Sequence, residues 1–124
     1  MTDRFFFACG ALLAGLAVAA GAFGAHALRA VLSPASLATF ETAVRYQTIH
    51  ALALLAVGWA ITRWPSRAIV WAGWLMLAGI VFFCASLYLL ALTGSRALVL
   101  ATPVGGLAWL AAWCCLAAGA LRRR

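Results

Sequence analysis

Ala68-Ile69-Val70-Trp71-Ala72-Gly73-Trp74-Leu75-Met76-Leu77-Ala78-Gly79-Ile80-Val81-Phe82-Phe83-Cys84-Ala85-Ser86-Leu87-Tyr88-Leu89-Leu90-Ala91-Leu92-Thr93 runs without a charged side chain. At a rise of about 1.5 Å per residue, roughly 20 apolar residues cross a hydrocarbon core, so this run is long enough to span a bilayer. Lipid offers the backbone no water, so such a segment must close its own hydrogen bonds as a helix. Three more apolar stretches surround it, at residues 5–28, 43–62 and 98–121. Together they predict an all-α integral membrane protein, a four-helix bundle running up-down-up-down. No polar stretch is long enough for a second domain, so residues 1–124 are read as one transmembrane domain.

Composition agrees. Hydrophobic residues make up 68% of the chain and charged residues 9%, whereas a soluble domain carries about a quarter charged. The net charge of +7 comes from nine arginines set against Asp3 and Glu41. Nucleic-acid binding needs a continuous basic face. Here the arginines sit singly or in pairs at the ends of the apolar stretches, with a terminal triplet, Arg122-Arg123-Arg124. Arg4, Arg63, Arg67 and that triplet fall on one side of a four-span bundle, and Arg29, Arg45 and Arg96 on the other. The richer side stays cytoplasmic, which predicts both termini inside. Trp59, Trp64, Trp71 and Trp74 gather near the same face, as interfacial aromatics do. Asp3-Arg4, the following apolar run and Ala25-His26-Ala27 have the outline of a cleavable secretory signal. The run is longer than the usual ~7–15-residue core of such signals, so the first span is expected to be retained.

Cys9, Cys84, Cys114 and Cys115 lie within apolar segments, form no C-x-x-C pair and have no histidine at zinc-finger spacing. They read as small apolar residues. Ser33-Pro34 is a helix start, with Ser as cap and Pro in the first turn. Nothing breaks the helix from there to Thr62, so residues 34–44 form a helical or interfacial lead-in to the second span, with Leu37, Phe40 and Val44 on one stripe. Trp64-Pro65-Ser66 and Gly94-Ser95 mark tight turns. Pro103 and Gly105-Gly106 predict an irregular start or a bend in the fourth helix.

Helices in lipid associate where small residues let backbones approach. Ala17, Gly21 and Ala25 recur at fourfold spacing, with Gly24 beside them, and Gly105 and Gly106 offer the same in the fourth span. Polar groups inside a membrane are costly and mark the place to look for function. They are His26 in the first span, Glu41, Arg45, Tyr46, Gln47 and His50 in the second, Ser86, Tyr88 and Thr93 in the third and Thr102 in the fourth. Glu41 and Arg45 are i, i+4 neighbours placed to form an ion pair. Tyr46 and His50 share another face. By helical rise His50 lies about 10 Å below the outer interface and His26 about 5 Å. Two readings stand for the histidines: hydrogen-bonded core residues, or a convergent pair holding a haem, a metal or a quinone.

Gly21-Ala22-Phe23-Gly24-Ala25-His26-Ala27-Leu28, Phe40-Glu41-Thr42-Ala43-Val44-Arg45-Tyr46-Gln47, His50-Ala51-Leu52-Ala53-Leu54-Leu55, Ser86-Leu87-Tyr88-Leu89-Leu90-Ala91-Leu92-Thr93-Gly94 and Thr102-Pro103-Val104-Gly105-Gly106-Leu107-Ala108 occur in this order. Together they resemble the family catalogued as domain of unknown function 423, small bacterial inner-membrane proteins and related mitochondrial ones. The resemblance covers nearly the whole chain. It implies a four-span protein of the bacterial cytoplasmic (inner) membrane and places His26, Glu41, Tyr46, Gln47 and His50 within family-like motifs. It supplies no activity.

The chain has no nucleophile–base pair and no phosphate-cradling loop, so no enzymatic role and no resident cofactor are expected. The leading expectation is an accessory, assembly or scaffold component contacting lipid and a larger membrane complex or a second copy of itself. The alternatives are an oligomeric transporter of small molecules or ions built on the outer polar cluster, and a haem-, metal- or quinone-binding subunit using His26 and His50.

Overall fold

The computed structural model describes residues 1–121, so the terminal arginine triplet counted above lies outside the described residues. Helix α1 spans Thr2–His26, and a 3-10 turn at Leu28–Ala30 leads to α2, Pro34–Arg63. Ser33 caps α2, its hydroxyl accepting from Ser36 N at 3.1 Å, with Pro34 in the first turn. The lead-in and the second apolar stretch are thus one 30-residue helix. Ser66 caps α3, Arg67–Gly79, by accepting from Ile69 N at 3.3 Å. A π-helical turn at Ile80–Cys84 joins α3 to α4, Ala85–Thr93, and together they form a continuous helix of 27 residues. Gly94 ends it in the left-handed conformation, φ 70°, its N–H donating to Leu90 O. That glycine has no Cβ to clash in this conformation. Helix α5 spans Ala101–Leu121.

The described residues are helical with no strand. The α1 region, α3–α4 and α5 are each long and apolar enough to cross a membrane. Helix α2 carries the polar residues, and it also has the most buried positions of any helix. It forms the central pair with α3–α4. Helix α1 packs chiefly against α2, and α5 chiefly against α3 and the π-turn. Neighbours run antiparallel: Gly10 lies at Ala51 and Leu54, while Gly24 lies at Phe40 and Gly58 at Asp3.

Two expectations change. The fourth helix begins at Ala101, not at residue 98, and continues unbroken through Pro103 and Gly105-Gly106. Pro103 falls in the first turn, where its missing N–H costs nothing. The irregularity lies instead in the third span, at the π-turn. The small-residue face of α1 is also rotated. Phe6, Gly10, Ala17 and Gly24 are buried, Gly21 is half-buried and Ala25 is exposed. In a long helix a stripe drifts with the 3.6 period, and strict fourfold spacing leaves it.

Close approach sets this core. A Cβ on Gly10 would stand 2.7 Å from Ala51 O, and one on Gly58 2.8 Å from Asp3 O. One on Gly21 would stand 3.4 Å from Val44 Cγ1, an ordinary contact, and one on Gly15 would meet nothing within 4 Å. Gly10→Ala should therefore destabilise the bundle by about 1–3 kcal/mol through overpacking. Gly15→Ala should be neutral or raise stability by up to about 1 kcal/mol from helix propensity. Thermal melting in detergent compares them, and equal melting of the two variants contradicts this account.

Candidate functional site

The polar residues of α2 divide into three sets. Glu41 and Arg45 are exposed in the N-terminal part of α2, and the expected ion pair between them does not form. Among the described residues the one ion pair joins the N-terminal ammonium to Asp3 at 3.0 Å. An exposed i, i+4 pair gains a few tenths of a kcal/mol at best, too little to hold two long side chains together.

Gln47 is buried and bridges three helices. Its Nε2 donates to Leu13 O of α1 at 2.9 Å, and its Oε1 accepts from Tyr88 OH of α4 at 2.8 Å. The Tyr88 ring meets Phe40 edge-on at 5.0 Å. Nearby, the Ser86 and Thr102 hydroxyls lie 2.6 Å apart, joining α4 to α5. These bonds have no water competing for them, so each both satisfies a buried group and fixes helix rotation.

His50, about 60° round α2 from Gln47, faces Trp109 of α5 and is 4% exposed. Its ring stacks on Trp109 at 3.6 Å and 3°, and Tyr46 lies parallel beyond, 5.7 Å from Trp109. His50 Nδ1 lies 2.8 Å from Tyr46 O, and Trp113 Nε1 lies 3.4 Å from His50 Nε2. A carbonyl only accepts and an indole N–H only donates, so Nδ1 donates and Nε2 accepts. That is the pattern of a neutral imidazole protonated on Nδ1.

Trp109 is held from behind. Its Nε1 donates to Met76 O at 3.2 Å. Gly79 lies so close under the indole that a Cβ there would overlap it. The π-turn follows Gly79 and brings Phe83 to 4.8 Å from Trp109 and 4.9 Å from Tyr46. Single π-turns within α-helices recur at functional sites. Helices α2 and α5 part in front of this ring stack. The cleft of about 410 Å³ is lined by Tyr46, His50, Phe83, Gly106, Trp109 and Trp113, with Ile49 and Leu110 at its edges.

His26 does not join this site. It ends α1 and is exposed, and both ring nitrogens of His50 are engaged elsewhere. The two histidines therefore do not act as a facing haem-ligand pair. Among the described residues no three His, Cys, Asp or Glu side chains come together as a metal site. The cysteines are free, and Cys84 is buried with its thiol 3.5 Å from Ala43 O. Gly105 is buried at the Phe83 backbone, whereas Gly106 lines the cleft.

Sequence reading reached His50, Tyr46 and Gln47 but missed Trp109, Trp113 and Phe83. A tryptophan in mid-span needs a partner for its N–H, and that need was the signal available. The Gln47–Tyr88 bond is open to a double-mutant cycle. Gln47→Leu and Tyr88→Phe should each destabilise the protein by about 1 kcal/mol, with a coupling of roughly 0.6–1.7 kcal/mol. Additive effects on unfolding in detergent remove the bridge from this account.

A family model described as "Protein of unknown function (DUF423)" matches residues 20–106. A UPF0382 membrane protein of Staphylococcus haemolyticus is 46% identical over 89% of this chain and 89% of its own length. The UPF0382 inner membrane protein YgdD of Escherichia coli is 38% identical over 98% of this chain and 93% of its own. No solved structure matches. Tyr46, Gln47, His50, Phe83, Tyr88 and Gly106 fall within the matched residues, whereas Leu13, Trp109 and Trp113 fall outside them, and the chain belongs to the DUF423 family of helical membrane proteins.

Proposed function

We propose that the chain is a four-pass, non-catalytic component of the inner membrane that works by contact, with the α2–α5 cleft as its working face. One observation carries this. The polar groups within the bundle are engaged with one another, and among the described residues every buried side-chain nitrogen and oxygen has a hydrogen-bond partner. Gln47, Ser86 and Trp109 spend their polar atoms on holding helices together, and among the described residues none of them is left to act on a substrate. The cleft, by contrast, offers two tryptophans and a tyrosine, the side chains that dominate contact energies. Its occupant in this reading is a helix of a larger membrane complex.

Helix α2 serves as the second span in this reading. Its polar side chains turn inward or lie towards the outer end, which suits a helix less apolar than its neighbours. The arginines at the inner ends support both termini in the cytoplasm. A transport reading draws less support, since Glu41 and Arg45 are exposed at the outer end and line no path through the bundle. A ligand reading keeps one specific support. The 3.4 Å Trp113–His50 bond is long, so the hydroxyl of a quinol-like ring in the cleft can replace Trp113 as donor to Nε2.

Photo-crosslinking at native expression separates these readings. A reactive group at Leu110 or Ile49 should capture a partner subunit, and one at Leu12 on the far face of α1 should not. Equal capture at all three positions, or a lone monomer in mild detergent, removes the proposal. A quinol in the solvent extract favours the ligand reading. Alkaline phosphatase fused after Arg124 should be inactive, and an active fusion reverses the orientation.

A further inference from the structure

The inner ends of α2 and α3 part around Trp64-Pro65-Ser66, leaving a groove of about 670 Å³. Ile61, Val70 and Trp74 form its apolar wall, Trp71 flanks it, and Arg67 stands at its mouth. Trp71 is 62% exposed and Trp74 48%, as rings are when they rest at a membrane interface. Arg67 is exposed and enters no ion pair among the described residues. Arg63 closes α2 one turn away in sequence. Arg4 lines a second, neighbouring groove with Phe7, Trp59 and Thr62. Among the described residues the one carboxylate at this end, Asp3, already faces the N-terminal ammonium.

Cations without carboxylates, set beside an apolar groove at interfacial tryptophans, fit one membrane component: an anionic phospholipid. We infer that this groove binds a single anionic phospholipid, its phosphate on Arg67 and an acyl chain against Ile61, Val70 and Trp74. A zwitterionic lipid fits worse. Its choline would enter a positive neighbourhood, and Glu41, the other acidic side chain, lies at the opposite end of α2. Free phosphate fits worse as well, because it leaves the apolar wall uncovered. Basic pockets between membrane helices on the cytoplasmic side recognise anionic headgroups by this combination of charge and depth.

The detergent-purified full chain provides the test, by native mass spectrometry with phosphatidylglycerol, phosphatidylcholine of the same acyl chains, and glycerol phosphate. Phosphatidylglycerol should be retained in preference to phosphatidylcholine, and glycerol phosphate should leave no adduct. Arg67→Gln should lower the preference about fivefold, the size expected for one cation near an anionic headgroup. Arg67→Lys should keep most of it, and Arg96→Gln, at the far end, should keep all of it. Equal retention of the two lipids, or an unchanged preference in Arg67→Gln, overturns the inference. An adduct with glycerol phosphate alone marks a free-phosphate site and overturns it too.

Discussion

A carboxamide in hydrocarbon must find partners for both its ends, and Gln47 finds them on two different helices. Much of the architecture follows from that requirement. Helix α2 can carry a buried glutamine and a buried histidine because it has helices on both sides of it. It is therefore the central helix, and the more uniformly apolar α1 and α5 take the outer places. The bridge also sets rotation. Tyr88 reaches Gln47 only when α4 presents that face, and the same setting brings Ser86 to Thr102.

Glycine supplies the distance that these bonds need. At Gly10 and Gly58 the α1 and α2 backbones come close enough for Gln47 to reach Leu13 O. At Gly79 the α3 backbone lies against an indole, which places Trp109 flat on His50. Backbones meet at small residues on the inner layers, and rings gather in the gap where α2 and α5 separate. The tightly packed part of the molecule and the open part are thus products of the same distribution of side-chain size.

The helices were legible in the sequence because apolar length is enough to define them, and the start of α2 was legible because Ser33-Pro34 is a cap with a mechanism. Which polar residues meet was not legible. Gln47 and His50 are three residues apart, only about 60° round the helix, yet they serve different neighbours, and their partners lie on helices whose rotation no local pattern encodes. The histidine pair shows the same limit. Counting inward from the loop placed His26 and His50 at similar depths, but the register sets Gly24 at Phe40 and Gly10 at Leu54, so His50 lies roughly 18 Å further along the bundle than His26. The π-turn left no mark in composition at all. It lies in Ile80-Val81-Phe82-Phe83-Cys84, an apolar run that reads as ordinary helix.

That turn has a consequence for how the gene can change. A π-turn holds about one residue more than an α-turn. Loss of a single codon between 80 and 84 would restore a seamless α-helix with every main-chain bond intact. The shortened segment would remain as oily as before and would still enter a bilayer. Downstream, Ser86 and Tyr88 would keep nearly the angle they have now, because the wide turn already absorbs the extra residue; what would go is the bulge that brings Phe83 to Trp109 and Tyr46. A codon lost from the regular helix on either side would instead swing every later side chain by about 100°, so the π-turn is the place where this span can change length and keep its partners.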